Sequence, residues 1–406
     1  MLTVDIDDLW PKENHSFYDI KDENYKVNVK WTKKYDCDYY SLASDFFICA
    51  HKVCENVVDS NHNIVKSDMW FLPCAYMFRQ AIELGLKSLI CSSAKSNSDA
   101  MTSFQTNKHN LKALFDTYIT SGDNYLSREE LIWLTLYLVD LENVDKQSAL
   151  FRFPFQDNFL SQYRDMFLCI ADMGNNLIQC FLLVVKCISK GVSSTLTEFD
   201  KEREPKFLQF STYGVGNCHL WESLTGDGFH KQVVGYSEVA EYLFYECGDI
   251  SNEQKAFPLM FLLRNSIELG LKRMFYKSIS FRVPRHIFIS KRNSHLLYKD
   301  LWKYTRPLIE HYAQVSGQDF EVISIVEKHI NELSSIDKKG DLFRYPTNYS
   351  LEYTFNNKDI DLLNVYKFMQ SIFYFLNSCE YVFSEIEEFE AEARAEIAQY
   401  ADYDYY

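Results

Sequence analysis

The chain repeats itself, and nothing else in the sequence restricts its fold as much. Residues 78–87 read FRQAIELGLK, and residues 263–272 read LRNSIELGLK at an offset of 185, with Pro73 and Pro258 placed alike before them. Residues 141–154, LENVDKQSALFRFP, return as residues 333–346, LSSIDKKGDLFRYP, at an offset of 192. Between these blocks lie His109-Asn110-Leu111 and His295-Leu296-Leu297. Ahead of them Tyr40-Ser41 and Tyr236-Ser237 each open an apolar helical run. Three ordered blocks imply a duplicated unit, and the drift in offset falls between blocks, where insertions collect in loops.

Apolar spacing predicts the same plan in each half. A first helix covers 40–59 and 236–248, a long second one 66–95 and 253–280, and short helices follow His109 and His295. Further helices are expected over 127–144 and 318–336. The last pair, 157–190 and 358–398, follows the Phe-Arg-aromatic-Pro turn, where proline keeps the preceding residue out of the helix. The fold class is therefore mainly α, with two repeated up-and-down helical bundles. A short segment of alternating residues, 25–31 or 207–213, precedes each and suggests strands. The organisation reads as an N-terminal extension (1–39), a first bundle (40–190), a connector with short strands (191–235), a second bundle (236–398) and a Tyr-rich acidic tail (399–406).

A length of 406 residues suits two or three domains at roughly 100 to 200 residues each. With 42 basic and 57 acidic residues the formal net charge is -15, which argues against an unpatterned grip on nucleic acid and leaves room only for a local basic groove. Residues 383–406 hold eight acids against Arg394. The 11 cysteines include no Cys-x-x-Cys pair, and Cys49, Cys54, Cys180 and Cys187 sit in apolar helical runs, so reduced core thiols are expected and no metal or cofactor is. No secretory signal is evident at the start of the sequence, and the longest apolar run, 177–188, is short for a bilayer and contains Lys186. A soluble cytoplasmic protein without a membrane association is expected.

Several repeated polar residues are candidates for a site. Arg79, Glu83 and Lys87 lie four residues apart on one helical stripe, as do Arg264, Glu268 and Lys272. They read either as ion pairs on a partly solvated face or as a shared functional demand. Arg152 and Arg344 either cap helix carbonyls or meet phosphate. Proximity of each Arg-Glu stripe to the arginine of its own half would explain their joint retention. Asp145-Lys146 and Asp337-Lys338 read as solvated turn residues. His109 and His295 stand at helix starts, as hinges or as catalytic groups, although the leucines after His295 are spaced one residue wider than those after His109.

The pattern Gln80-Ala81-x-Glu83-x-x-x-Lys87, then His109-x-Leu111, then Arg152-Phe153-Pro154 resembles the HEPN superfamily (higher eukaryotes and prokaryotes nucleotide-binding). The resemblance covers a bundle in each half. Asn265-Ser266 replaces Gln-Ala, Asn110 and Leu296 replace an Asp, and Phe153 replaces a Tyr. The resemblance implies helical bundles paired face to face, RNA or nucleotide binding, and frequent membership in bacterial toxin or antiphage systems. Many HEPN proteins are metal-independent ribonucleases with a two-sided Arg-x4-6-His site. The one literal match here is Arg306 to His311, and residues 120–125 of the first half hold no equivalent.

Three functions follow as expectations. One is a binding module for RNA or a nucleotide. Another is an endoribonuclease using Arg306 and His311, with histidine moving a proton and arginine stabilising the phosphorane. The third is a scaffold whose acidic, Tyr-rich tail docks a partner protein or a second copy. Walker, His-Glu-x-x-His and Gly-x-Ser-x-Gly motifs are absent from the sequence, which leaves ATPase, zinc protease and esterase readings without support.

Overall fold

The structure, a computed structural model, describes residues 9–60, 63–122, 124–145, 148–153, 166–192, 198–212, 217–218, 230–277, 294–317 and 320–403. It is mainly helical. The chain divides into two compact units. The first holds Ile20–Ser266 and Gly340–Asn364, and the second holds Thr3–Asp19, Ile267–Lys339 and Val365–Tyr406.

In the first unit, α1 (Tyr35–Val58), α3 (Asn97–Asn107), α4 (Leu111–Thr120), α5 (Arg128–Val144), α6 (Ile170–Ile188) and α7 (His230–Tyr245) accompany α2 (Ile64–Ser93). Every α2 residue from Ser67 to Ile90 is buried. A helix buried on all sides is a core helix, so its repeated polar residues cannot lie on a solvated face. Pro73 inside α2 has no N–H to give the Met69 carbonyl one turn earlier. Gly235 of α7 meets that carbonyl: a Cβ there would stand 1.9 Å from Met69 O, so the glycine hydrogen faces it instead.

The strands tie distant segments together. β1 (Lys26–Val29) runs antiparallel to β5 (Lys358–Asp361), with Val27 opposite Ile360. β2 (Phe167–Cys169) lies between β3 (Phe210–Ser211) and β4 (Asn217–Cys218), with Leu168 opposite Phe210 and Cys218. Thus the segment ahead of each half pairs with the strand before the other half's last helix. β1 and β3 fall where alternation predicts them, in 25–31 and 207–213.

The second unit contains a π-helical turn (Leu297–Trp302), α9 (Lys303–Ser316), α10 (Glu321–Ile336) and most of α11 (Leu362–Tyr403); α8 (Asn252–Lys277) contributes residues to both units. The π turn explains the wide leucine spacing. Its i to i+5 bond from Leu301 N to Leu296 O accommodates one extra residue per turn, so Leu297, Leu301 and Trp302 are all buried, as Leu111, Leu114 and Phe115 are in α4. In the N-terminal segment Phe17 packs edge-on to Phe368, and Glu332 accepts from Ser16 Oγ and Phe17 N.

Several boundaries differ from expectation. The last helix of the second half starts at Leu362, because Lys358–Asp361 is a strand, and it continues to Tyr403. In the first half, residues 154–165 lie outside the described residues, and the helix begins at Ile170 after strand β2. α7 starts at His230, inside the expected connector. α3 was not expected, although Ser96 caps it by accepting from Asp99 N. Cys49, Cys54, Cys180 and Cys187 are buried free thiols within helices. α6 is the one helix among the described residues that is long and apolar enough to cross a membrane by length and composition. In the first unit it packs on α2, and its Lys186 pairs with Glu130 at 2.7 Å.

Candidate functional site

α2 places Arg79, Glu83 and Lys87 on one stripe, and all three are buried. Arg79 Nη1 bonds Glu83 Oε2 at 2.7 Å, and Lys87 Nζ bonds Glu83 Oε1 at 2.8 Å. The other side of Arg79 meets Asp145, with Nε 2.9 Å from Oδ2. Asp145 is not the solvated turn residue that its sequence position suggests: it is 2% exposed, and its Oδ1 accepts from the Ala149 and Leu150 amides. Its neighbour Lys146 lies outside the described residues. Asp337 is also buried, while Lys338 is exposed.

His109, just before α4, completes the cluster. Its Nδ1 lies 3.0 Å from Glu83 Oε1 and 3.1 Å from Tyr345 Oη, and its Nε2 lies 3.2 Å from Tyr349 Oη. Burial lowers the His109 pKa more than Glu83 raises it, so the ring is neutral near pH 7. Because Glu83 can only accept, the neutral ring carries its proton on Nδ1 and leaves Nε2 as the acceptor. Burial raises the Glu83 carboxyl, but Lys87, His109 and Arg79 together hold it well below the usual carboxylate range. Burial lowers Lys87, whose ammonium lies 4.2 Å from the Tyr345 ring centre. A histidine oriented by a buried carboxylate, with its far nitrogen near the surface, is the arrangement of a general base or of a ligand hydrogen-bond acceptor.

The two arginine turns converge on Tyr76. Arg344 is 1% exposed; its Nε donates to Tyr76 Oη, its Nη1 to Asp341 at 2.9 Å and its Nη2 to Tyr345 Oη at 2.9 Å. Arg152 donates from Nε to Ser148 O at 2.8 Å, and its guanidinium lies 5.8 Å from the Tyr76 ring centre. Arg152 is therefore near its own half's stripe, joined to Arg79 through the Asp145 turn. Arg344, from the second half, sits against Tyr76 of the first. Gln80 Nε2 donates to Arg344 O at 2.8 Å, and Asn265 Nδ2 points to Arg152 O at 3.5 Å. Each motif turn is thus met by the motif helix of the other half. Pro154 lies outside the described residues.

The second half has a corresponding cluster in the second unit. Glu268 Oε1 meets Lys272 Nζ at 2.8 Å and His295 Nδ1 at 2.8 Å. The side chain of His295 is 36% exposed, against 21% for His109. Arg264 is buried within the first unit. The slip in leucine spacing after His295 does not separate it from the motif glutamate.

Arg306 and His311 are not brought together. On α9 they stand five residues apart, about 140° around the helix axis. Arg306 bonds Glu310 at 2.8 Å and also Glu327, and lines a cavity of about 630 Å³ with Trp302, Lys299 and Lys303; His311 does not line it and packs on Tyr312. Sequence reasoning missed Tyr76, Tyr349 and the buried role of Asp145. Only Tyr76 carried a signal, at the position that Phe261 occupies in the second block. Among the described residues no group of three His, Cys, Asp or Glu side chains could hold a metal ion. No family model, no curated protein and no solved structure matches the chain.

Proposed function

We propose that the chain is a tandem HEPN-like protein that binds RNA or a nucleotide in the cytoplasm, as part of a bacterial toxin or antiphage defence system. The reciprocal seating of the two arginine turns carries this reading, since it supports the face-to-face pairing of bundles that the HEPN resemblance implies. The ligand meets the rim rather than the buried stripes. His109, Tyr349 and His295 present polar atoms near solvent, while Arg79, Glu83, Lys87, Arg344, Glu268 and Lys272 hold them from behind. Labelled single-stranded RNA and labelled ATP, followed by fluorescence anisotropy, test it. Binding should weaken in His109→Ala and His295→Ala at unchanged thermal stability; binding to neither probe, or binding indifferent to both changes, refutes it.

Burial of the motif residues favours a second reading, a scaffold in which the network only cements the fold. In that reading the acidic end of α11, with Phe389 and Ile397 exposed, docks a basic partner surface or a second copy. The side chains from Gln399 onward, including the tail tyrosines, lie outside the described residues. Phe389→Ser should then abolish partner capture without touching nucleotide binding. An endoribonuclease using Arg306 and His311 draws less support, since two carboxylates engage Arg306 and His311 is turned away from its cavity.

A further inference from the structure

The second unit contains a cavity of about 540 Å³ that plays no part in the clusters described above. Its walls come from the N-terminal segment, from α9 and α10, and from the middle of α11. That volume is in the range of small-molecule sites, whereas packed cores seldom leave voids much larger than a water molecule. Four aromatic residues shape it. Tyr312 and Phe383 stack with ring centres 4.2 Å apart, and Trp10, 41% exposed, stands edge-on to Phe375 at 6.1 Å.

The charge around this aromatic box is of one sign. Glu321 lines it, Tyr312 Oη donates to Glu387 at 3.3 Å, and no Lys or Arg is among its described lining residues. Glu380 and Glu390 also act on the Tyr312 phenol, but Arg273 and Arg394 pair with them, so Glu321 and Glu387 set the local field. Aromatic faces attract cations through their quadrupoles, most strongly where water is excluded, and carboxylates beside them add to the preference. A carboxylate or phosphate ligand would be repelled. The remaining lining is apolar, as a hydrocarbon body requires. Burial pushes the Cys379 thiol up to about 12, so this lining cysteine is a poor nucleophile and the occupant is held without a covalent bond.

We propose that this cavity binds a small organic cation with an apolar body, its charged head against Trp10 and Tyr312 and its chain between α9 and α11. The test titrates the full chain with octyltrimethylammonium, octanoate and octanol while tryptophan emission is recorded. The cation alone should give a saturable change. Trp10→Phe should abolish that change, and Glu321→Gln should weaken binding several-fold, with both variants melting as the wild type does. If either variant fails to fold, alkylation of Cys379 in the wild type replaces it and should slow several-fold when the cation is present. Equal saturation by all three probes, or saturation by octanoate, would overturn the cationic assignment. No saturable change in emission or alkylation overturns the site, as does a dimer that Trp10→Glu dissociates, because that gives the cavity to a second copy.

Discussion

Tyr76 stacks on Phe261 with ring centres 4.4 Å apart and planes 19° from parallel, and the two residues hold the same place in the repeated block. A position that meets its own counterpart is what a two-fold arrangement produces at its axis. The members differ by one hydroxyl, and that hydroxyl is in use: Tyr76 Oη donates to Gln80 Oε1 at 2.9 Å and accepts from Arg344 Nε.

Removing the hydroxyl should therefore cost more than a typical hydrogen bond. Tyr76→Phe keeps the stack but leaves a buried guanidinium N–H and an amide oxygen short of partners, a loss of about 1–3 kcal/mol. Phe261→Ala removes the stack itself and should cost about 3–5 kcal/mol. Urea denaturation of both variants checks the ranking; a neutral Tyr76→Phe would mean that water replaces the hydroxyl and that the network is looser than its geometry.

Glu83 is the anion shared by Arg79, Lys87 and His109, so its loss leaves buried cations uncompensated. Glu83→Gln should destabilise by about 3–5 kcal/mol. Lys87→Met should cost less, because it removes a charge whose own pKa burial already lowers. Thermal unfolding of the two variants, compared at one pH, decides the order.

Much of this cluster could be read from the sequence, and the reason is local. Spacing by four fixes a common helical face, so Arg79, Glu83 and Lys87, like Glu268 and Lys272, were legible as groups. Which surface covers that face is a tertiary matter. Nothing in periodicity told that the Arg344 turn would lie on Tyr76 and Gln80, or that Asp145 would turn inward to Arg79. β5 was hidden for a similar reason: its sequence KDID has no alternation of its own, and pairing with the alternating β1 defines it. The extra residue after His295 was visible, but its solution, a π turn, depends on three buried side chains holding their places.

His329 of α10 should make the second unit sensitive to acid. Burial first, then the neighbouring His15 and Lys328, lower its pKa to about 4. The unfolded chain takes up this proton near pH 6.5 and the folded chain near 4, so the stability from a neutral His329 falls as pH drops between those values, by on the order of 3 kcal/mol. Buried Asp45, raised to about 8, and Glu142, raised to about 7, work in the opposite sense. The difference between wild type and His329→Phe isolates the histidine. That difference should shift in favour of the variant from pH 6.5 to 4, and a constant difference would show that His329 titrates normally.

The repeated glycine separates the two copies by a measurement. In α2, a Cβ on Gly85 would stand 2.9 Å from Val184 Cγ1, on a stiff β-branched side chain of α6. In α8, a Cβ on Gly270 would meet Leu376 at 3.5 Å, an ordinary contact. Gly85→Ala should therefore force α2 and α6 apart and cost about 1–3 kcal/mol. Gly270→Ala should be neutral or stabilise by up to about 1 kcal/mol, since alanine is the better helix former. Gly235→Ala sets the upper limit of the series: its Cβ would fall 1.9 Å from a backbone oxygen that cannot move without shifting α2. Melting the three variants side by side tests the order Gly270, Gly85, Gly235 from mildest to most damaging. Equal losses at Gly85 and Gly270 would mean that both motif helices are packed alike and that the Val184 contact does not set the requirement for glycine.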